Sequence, residues 1–347
     1  MKRNEIHHEI KNAAAGLLAA VLVCGLASCG GDTSWTYRNG ETTVTSGMYV
    51  GLSIDALNAA SAVEGYDSSK SPFDQTLEGM DGEDWIQDKA NDYAKEYLAV
   101  EDQFTQRGMS LTEEDQAAID SQVELYWTSL GMGALYEEEG CGKTSYTNIL
   151  TNQYKKNLLF QAVYGEGGEE EVSQEELRSV FQNDYVKGVY FSVSLADDEG
   201  NKLTGDELQA KQDEAQTLAD RITAGEDFET VKANYTADPE ATEEETEPSD
   251  TSVVVKKENA TSAVYKAIAD GEVGEVQVIE DGNNAYVVQT LDVMSGTSFE
   301  DYRDTVLFDM KSNEFEEKVS AWAEELSIEE NTAAVNKHNP SHLKDLF

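Results

Sequence analysis

The sequence predicts an α+β protein: a helical module made of N-terminal helices plus one C-terminal helix, with a small α+β domain inserted between them. Three observations point there. Apolar residues recur at three- and four-residue spacings through most of residues 83–186. The period turns to alternation at Val189, and helical spacing returns at Ser298 and runs to about Leu326. Trp35, Trp85, Trp127 and Trp322, the four tryptophans, all lie outside residues 189–293, so the last helix is assigned to the same body as the first ones.

With 347 residues and 39% hydrophobic content, the chain can bury more than one ordinary core. The charge is unusual: 25 Lys+Arg against 69 Asp+Glu give a net charge of −44. Such a surface repels nucleic-acid backbones and anionic lipid headgroups, so nucleic-acid binding is excluded as a function class.

Residues 1–28 read as a leader. Lys2, Arg3 and Lys11 precede an apolar run over residues 13–27, which has the length of a signal-peptide core and is too short for a spanning helix. Leu26-Ala27-Ser28-Cys29-Gly30 resembles the lipobox of bacterial lipoproteins. That resemblance implies cleavage before Cys29, lipidation of its thiol, and a protein anchored on the outer face of the bacterial cytoplasmic membrane. Cys141 is then the one remaining thiol, and the histidines left are His338 and His342. An internal disulfide, a cysteine zinc site and a histidine-dependent centre in the body are excluded, and no cofactor or metal is expected.

Taken in order, residues 29–187 are expected to form a tether, a hairpin and the helical module. Asn39-Gly40 sits between two short strand-like runs, a strong hairpin signal. A helix from about Ser46 carries Met48, Leu52, Leu57 and Ala60, and residues 65–82 read as a long loop. Helical spacing resumes at Glu83 with Ile86, Ala90, Tyr93, Tyr97 and Phe104, and Gly108 is the stop. Thr112-Glu113-Glu114-Asp115 opens the next helix, with Ile119, Val123, Tyr126, Trp127 and Leu130 as its apolar face. Further helices follow around residues 146–164 and from Ser173.

Residues 188–294 are expected to form the α+β domain. A strand at Val189–Leu195 is followed by helices over residues 205–224 and to about Tyr235, then by a loop with six acids and no base over residues 240–250. A short strand, a helix over residues 261–269, a turn at Asp270-Gly271 and two final strands complete it. Residues 295–347 contain the closing helix, with Tyr302, Val306, Met310, Phe315, Val319 and Trp322 inward.

The lipobox, the hairpin leading into helices, the Ser110-Leu111-Thr112-Glu113-Glu114 helix start, the small α+β domain and the closing helix together resemble the PrsA/SurA class of extracytoplasmic foldases. Within the α+β domain, Gly225-Glu226-Asp227-Phe228, Tyr235-Thr236-Ala237-Asp238, Asp270-Gly271-Glu272-Val273-Gly274 and Ala285-Tyr286-Val287-Val288 resemble, in order, the parvulin (PpiC-type) prolyl-isomerase pattern. The resemblance implies a pocket at Tyr190, Phe228 and Tyr286. It also marks departures: tyrosines 190 and 286 stand where parvulins carry histidines, the acidic loop replaces a glycine-rich stretch, and an expected apolar aromatic falls near Tyr265-Lys266.

The implied function is that of a membrane-anchored chaperone, or foldase, for unfolded secreted polypeptides. The alternative is an active peptidyl-prolyl cis-trans isomerase with a histidine-free pocket, since rotation about a twisted amide needs no nucleophile. A third reading, a ligand-capturing lipoprotein, has no residue pattern to name its ligand. A homodimer through the helical module stays open, with no residue arguing for it.

Overall fold

The structure is a computed structural model that describes residues 34–236, 252–296 and 298–346. Strands β1 (Trp35–Asn39) and β2 (Thr42–Thr45) form the hairpin around Asn39-Gly40, where Gly40 takes the left-handed φ of 59° that a tight turn needs. The Thr45 side chain accepts the Met48 amide and starts α1 (Ser46–Ala59), a helix buried on nearly every side. Residues 65–82 hold more than a loop. They contain a short hairpin of β3 (Thr76–Leu77) and β4 (Met80–Asp81), too brief for alternation to register in sequence.

Asp81 caps α2 (Gly82–Gln106), the long helix on which the body is assembled, and Gly108 at φ 64° ends the turn after it. Thr112 and Asp115 exchange side-chain and backbone bonds in a full capping box at the start of α3 (Glu113–Glu124). Then come a π-helical turn (Leu125–Ser129), α4 (Met132–Glu139), α5 (Lys143–Tyr164) and α6 (Gln174–Asp184), the last capped by Ser173. Helices α1, α2 and α5 pack on one another around Met48, Leu57, Ile86, Leu98 and Ile149.

Helix α6 runs without a loop into β5 (Tyr185–Ser194), so this strand begins four residues before the expected Val189. The added residues pair with β6 (Val253–Lys256). After β5 come α7 (Gly205–Thr223), α8 (Phe228–Thr236), β6, α9 (Ala263–Asp270), β7 (Val276–Asp281) and β8 (Asn284–Leu291). The sheet is antiparallel in the order β6-β5-β8-β7. Strand alternation sends Val189, Phe191, Val193 and Leu195 toward α7 and α8, and Val186 and Tyr190 toward α9.

The chain then returns to the helical body. Helix α10 (Ser298–Glu325) packs on α2, α6 and α5, burying Val306, Leu307, Phe315 and Val319. Beyond it β9 (Glu329–Glu330) adds to β1, giving a sheet ordered β2-β1-β9, and α11 (Thr332–Lys337) follows. The Arg38 guanidinium meets Glu329 at 2.7 Å, and Asn331 donates its side-chain amide to the Trp35 carbonyl at 3.0 Å. The fold is α+β, a helical module carrying a small α+β unit. Among the described residues no helix is long and apolar enough to cross a membrane.

Candidate functional site

Two surfaces carry functional potential, one on each part of the molecule. The first is the α9 side of the four-stranded sheet. Tyr190 pairs with Val288 across β5 and β8, and Tyr286 stands two residues before Val288, so the two tyrosines are diagonal neighbours on one face. Their rings meet edge to face at 6.2 Å. Ile279 lies directly across from Tyr286 in β7, and Tyr265, on the first turn of α9, comes over the pair. Burial and a hydrogen bond with Tyr265 push the Tyr190 phenol above its ordinary pKa, so it stays protonated near neutrality and remains a donor. All three rings are half-buried. The face therefore offers aromatic walls and phenolic hydroxyls.

The position of α9 depends on one glycine. A Cβ on Gly188 would stand 2.7 Å from Cγ1 of Ile268, which is fully buried under α9, so the helix can sit down on β5 only because residue 188 has no side chain. Gly188→Ala is expected to lift α9, destabilise the sheet unit by about 1–3 kcal/mol and break the Tyr190–Tyr265 contact. Urea unfolding of the variant checks the first effect, and ring proton shifts of the tyrosines check the second.

Phe228 does not join this face. It is 6% exposed, packs edge to face on Phe191 at 5.4 Å, and belongs to the core between the sheet and α7 and α8. Gly225, at φ 101°, folds the chain back after α7 onto the side of the sheet that Phe191 covers, opposite Tyr190. There Phe228 lines a separate open cleft of about 430 Å³ together with Val189, Ile222 and Asp227. Tyr265, and not Phe228, stands beside Tyr190 and Tyr286 on this face. Its signal was the aromatic expected near Tyr265-Lys266. Cys29, the expected lipidation site, and the acidic loop over residues 240–250 lie outside the described residues.

The second surface is a tip of the helical body. The sequence reading placed Leu130 inward with Trp127, but the π-helical turn at Leu125–Ser129 lengthens the repeat and rotates the stripe. Trp127 stays anchored, its ring against Gly133 and 5.3 Å from that of Tyr146, while Leu130 swings out to 60% exposure. Leu125 at 48% and Leu135 at 38% flank it. Phe308 on α10 is 54% exposed beside an open groove of about 300 Å³ that Tyr154 and Leu158 also line.

No protein-family profile matches the chain, and no curated protein matches it. The chain is similar to solved PrsA structures. It matches the foldase protein PrsA from Streptococcus pneumoniae at 13% identity over 74% of this chain and 84% of that one, with a TM-score of 0.36. For PrsA from Bacillus subtilis the values are 14%, 76%, 86% and 0.30. For the peptidylprolyl isomerase PrsA from Bacillus anthracis they are 9%, 72%, 94% and 0.23.

Proposed function

We propose that this protein is a lipid-anchored extracytoplasmic foldase that holds unfolded secreted polypeptides on its helical body, with the tyrosine face of the sheet unit as a second binding surface. The observation that carries this reading is where large apolar side chains meet solvent. Of six exposed ones among the described residues, Met80, Leu125, Leu130, Leu135 and Phe308 are on the helical body, and three of these fall within eleven residues. Apolar clusters of this kind on a strongly charged protein serve association with other apolar chains, and the charge keeps such complexes soluble.

The anchor at Cys29 rests on the lipobox resemblance. The isomerase alternative draws support from the half-buried Tyr190, Tyr265 and Tyr286, whose hydroxyls can donate to a peptide carbonyl. A single experiment separates the two. The chain from Gly30 onward is added to an aggregating client followed by light scattering, and to a protein whose refolding is limited by proline isomerisation. Suppressed scattering is expected, and replacing Leu125, Leu130 and Leu135 together with serine should weaken it at least threefold. Unchanged client aggregation would sink the proposal. Accelerated refolding that Tyr190→Phe or Tyr286→Phe diminishes would establish the isomerase instead.

A further inference from the structure

Helices α1, α2 and α5 do not close completely on one another. Between them lies a cavity of about 250 Å³, and it opens into a wider cleft of about 620 Å³ bounded by α2, α5 and α10. The two share Tyr93, Glu96 and Lys156, so they form one continuous recess with a narrow floor and a broad mouth.

The floor has a distinctive composition. Leu52, Val100 and Ile149 supply apolar wall, Tyr93 and Tyr97 supply aromatic wall, and Asp55 contributes a carboxylate. Asp55 makes no ion pair among the described residues. Its Oδ1 accepts a long bond of 3.4 Å from the Tyr136 hydroxyl. A carboxylate in largely apolar surroundings without a paired cation is costly, because burial removes water from the charge and the one long bond from Tyr136 offsets only part of the loss. The ionisable groups that interact with it are the phenols of Tyr93, Tyr136 and Tyr146 and the thiol of Cys141, and the one cation lining the same cavity, Lys156, is held by Glu96 and Glu316.

The mouth has the complementary property. Glu96, Glu316, Glu317 and Glu324 face Lys89 and Lys156. Lys156 is already engaged, 2.6 Å from Glu316 and 3.5 Å from Glu96. The Lys89 ammonium stands 5.0 Å from the ring centroid of Tyr93, so this aromatic wall already accepts an alkylammonium from the chain itself. Negative charge exceeds positive along the whole recess, which favours entry of a cation over an anion.

We infer that the recess binds a primary alkylammonium, its ammonium on Asp55 and its alkyl stem along Leu52, Val100 and Ile149, and that the source of this group is a lysine side chain of a bound polypeptide. The polypeptide as source rests on the foldase reading; the ammonium chemistry does not. A lysine fits both requirements of the floor, a flexible apolar stem of four carbons and a point charge at its end. A norleucine of the same length would leave Asp55 unpaired, and a glutamate would be repelled.

The test is calorimetric titration of the chain from Gly30 onward with a blocked Ala-Ala-Lys-Ala-Ala peptide, its norleucine counterpart and n-butylammonium. The lysine peptide is expected to bind at least tenfold more tightly than the norleucine peptide, with Asp55→Asn abolishing the difference. Tyr93→Leu, at the half-exposed rim, is expected to weaken the lysine peptide about threefold. Affinity should fall about tenfold between pH 7 and pH 5, because burial pushes the Asp55 carboxyl up to about 6 and the protonated form offers no charge. Glu96, Tyr93 and Tyr97, all raised by burial, are the ionisable groups that face the same space from α2, and Lys156 faces it from α5.

Equal binding of the lysine and norleucine peptides, or full retention by Asp55→Asn, would overturn the inference. Binding of n-butylammonium as tightly as the peptide would overturn the polypeptide source and make the recess a small-amine site. Lysine-selective binding without protection of an aggregating client would refute the foldase reading and leave the ammonium site standing.

Discussion

Asp55→Asn is expected to stabilise the protein at pH 7 and to do so progressively less as the pH falls toward 4. Burial raises the Asp55 carboxyl from 3.8 to about 6 in the folded chain. Below pH 3.8 the group is protonated in both the folded and the unfolded state and contributes nothing. As the pH rises the unfolded chain releases this proton first, so stability is lost between about 4 and 6 and the loss is complete above that range. A shift of about two pH units corresponds to about 3 kcal/mol. Asparagine keeps an acceptor for the Tyr136 hydroxyl and carries no charge, so it removes the penalty without leaving the hydroxyl unpaired. The melting temperature at pH 7 should rise by several degrees. Urea titrations of both chains at pH 4, 5, 6 and 7 give the comparison. A gain of the same size at every pH would mean that relief of a buried charge is not its cause. A residue that costs stability at neutral pH while lining a cavity fits a role in binding rather than in packing.

The second large effect concerns α10. Phe315 is 3% exposed, and its ring meets Phe160 at 5.3 Å, Trp322 at 5.8 Å and Tyr164 at 6.2 Å, all edge to face. Phe315→Ala empties the centre of this cluster and is expected to cost about 3–5 kcal/mol. Phe308 lies two turns earlier on the same helix, with its ring 5.7 Å from that of Phe160, but is 54% exposed. Phe308→Ala is expected to cost under about 1 kcal/mol. Urea unfolding followed by tryptophan fluorescence gives both values. Equal costs would mean that α10 does not hold the body together through its buried stripe.

Local chemistry made much of this fold legible. Asn39-Gly40 marked the first hairpin, Thr112 and Ser173 marked helix starts, and alternation marked β5, because each of these signals depends only on neighbours in the chain. The π-helical turn did not announce itself: a single extra residue in a helical repeat leaves the apolar spacing nearly intact, yet it turned Leu130 from core to solvent. β9 is two glutamates whose strand conformation comes wholly from the partner β1.

The candidate site was legible in part. Tyr190 and Tyr286 fell on one face because strand parity fixes it, whereas the side of the sheet taken by Phe228 depends on the turn at Gly225, which parity does not describe. Asp55 had a signal that the apolar stripe obscured. It is the one charged residue in the fourteen of α1, and a lone acid in an otherwise uncharged buried helix is itself informative.

The pairing of β1 with β9 also dictates an order of events during folding. Arg38 and Glu329 are 291 positions apart, whereas the contacts between β7 and β8 close within a few residues. Contacts of such different span form on different timescales, the nearer ones first. A chain emerging amino-terminus first presents β1 with one edge open until the last twentieth of the polypeptide arrives, while the sheet unit in the middle has all its own strands well before then. The helical body is thus the last part to be sealed, and for most of its emergence the chain carries an unpaired strand edge of its own.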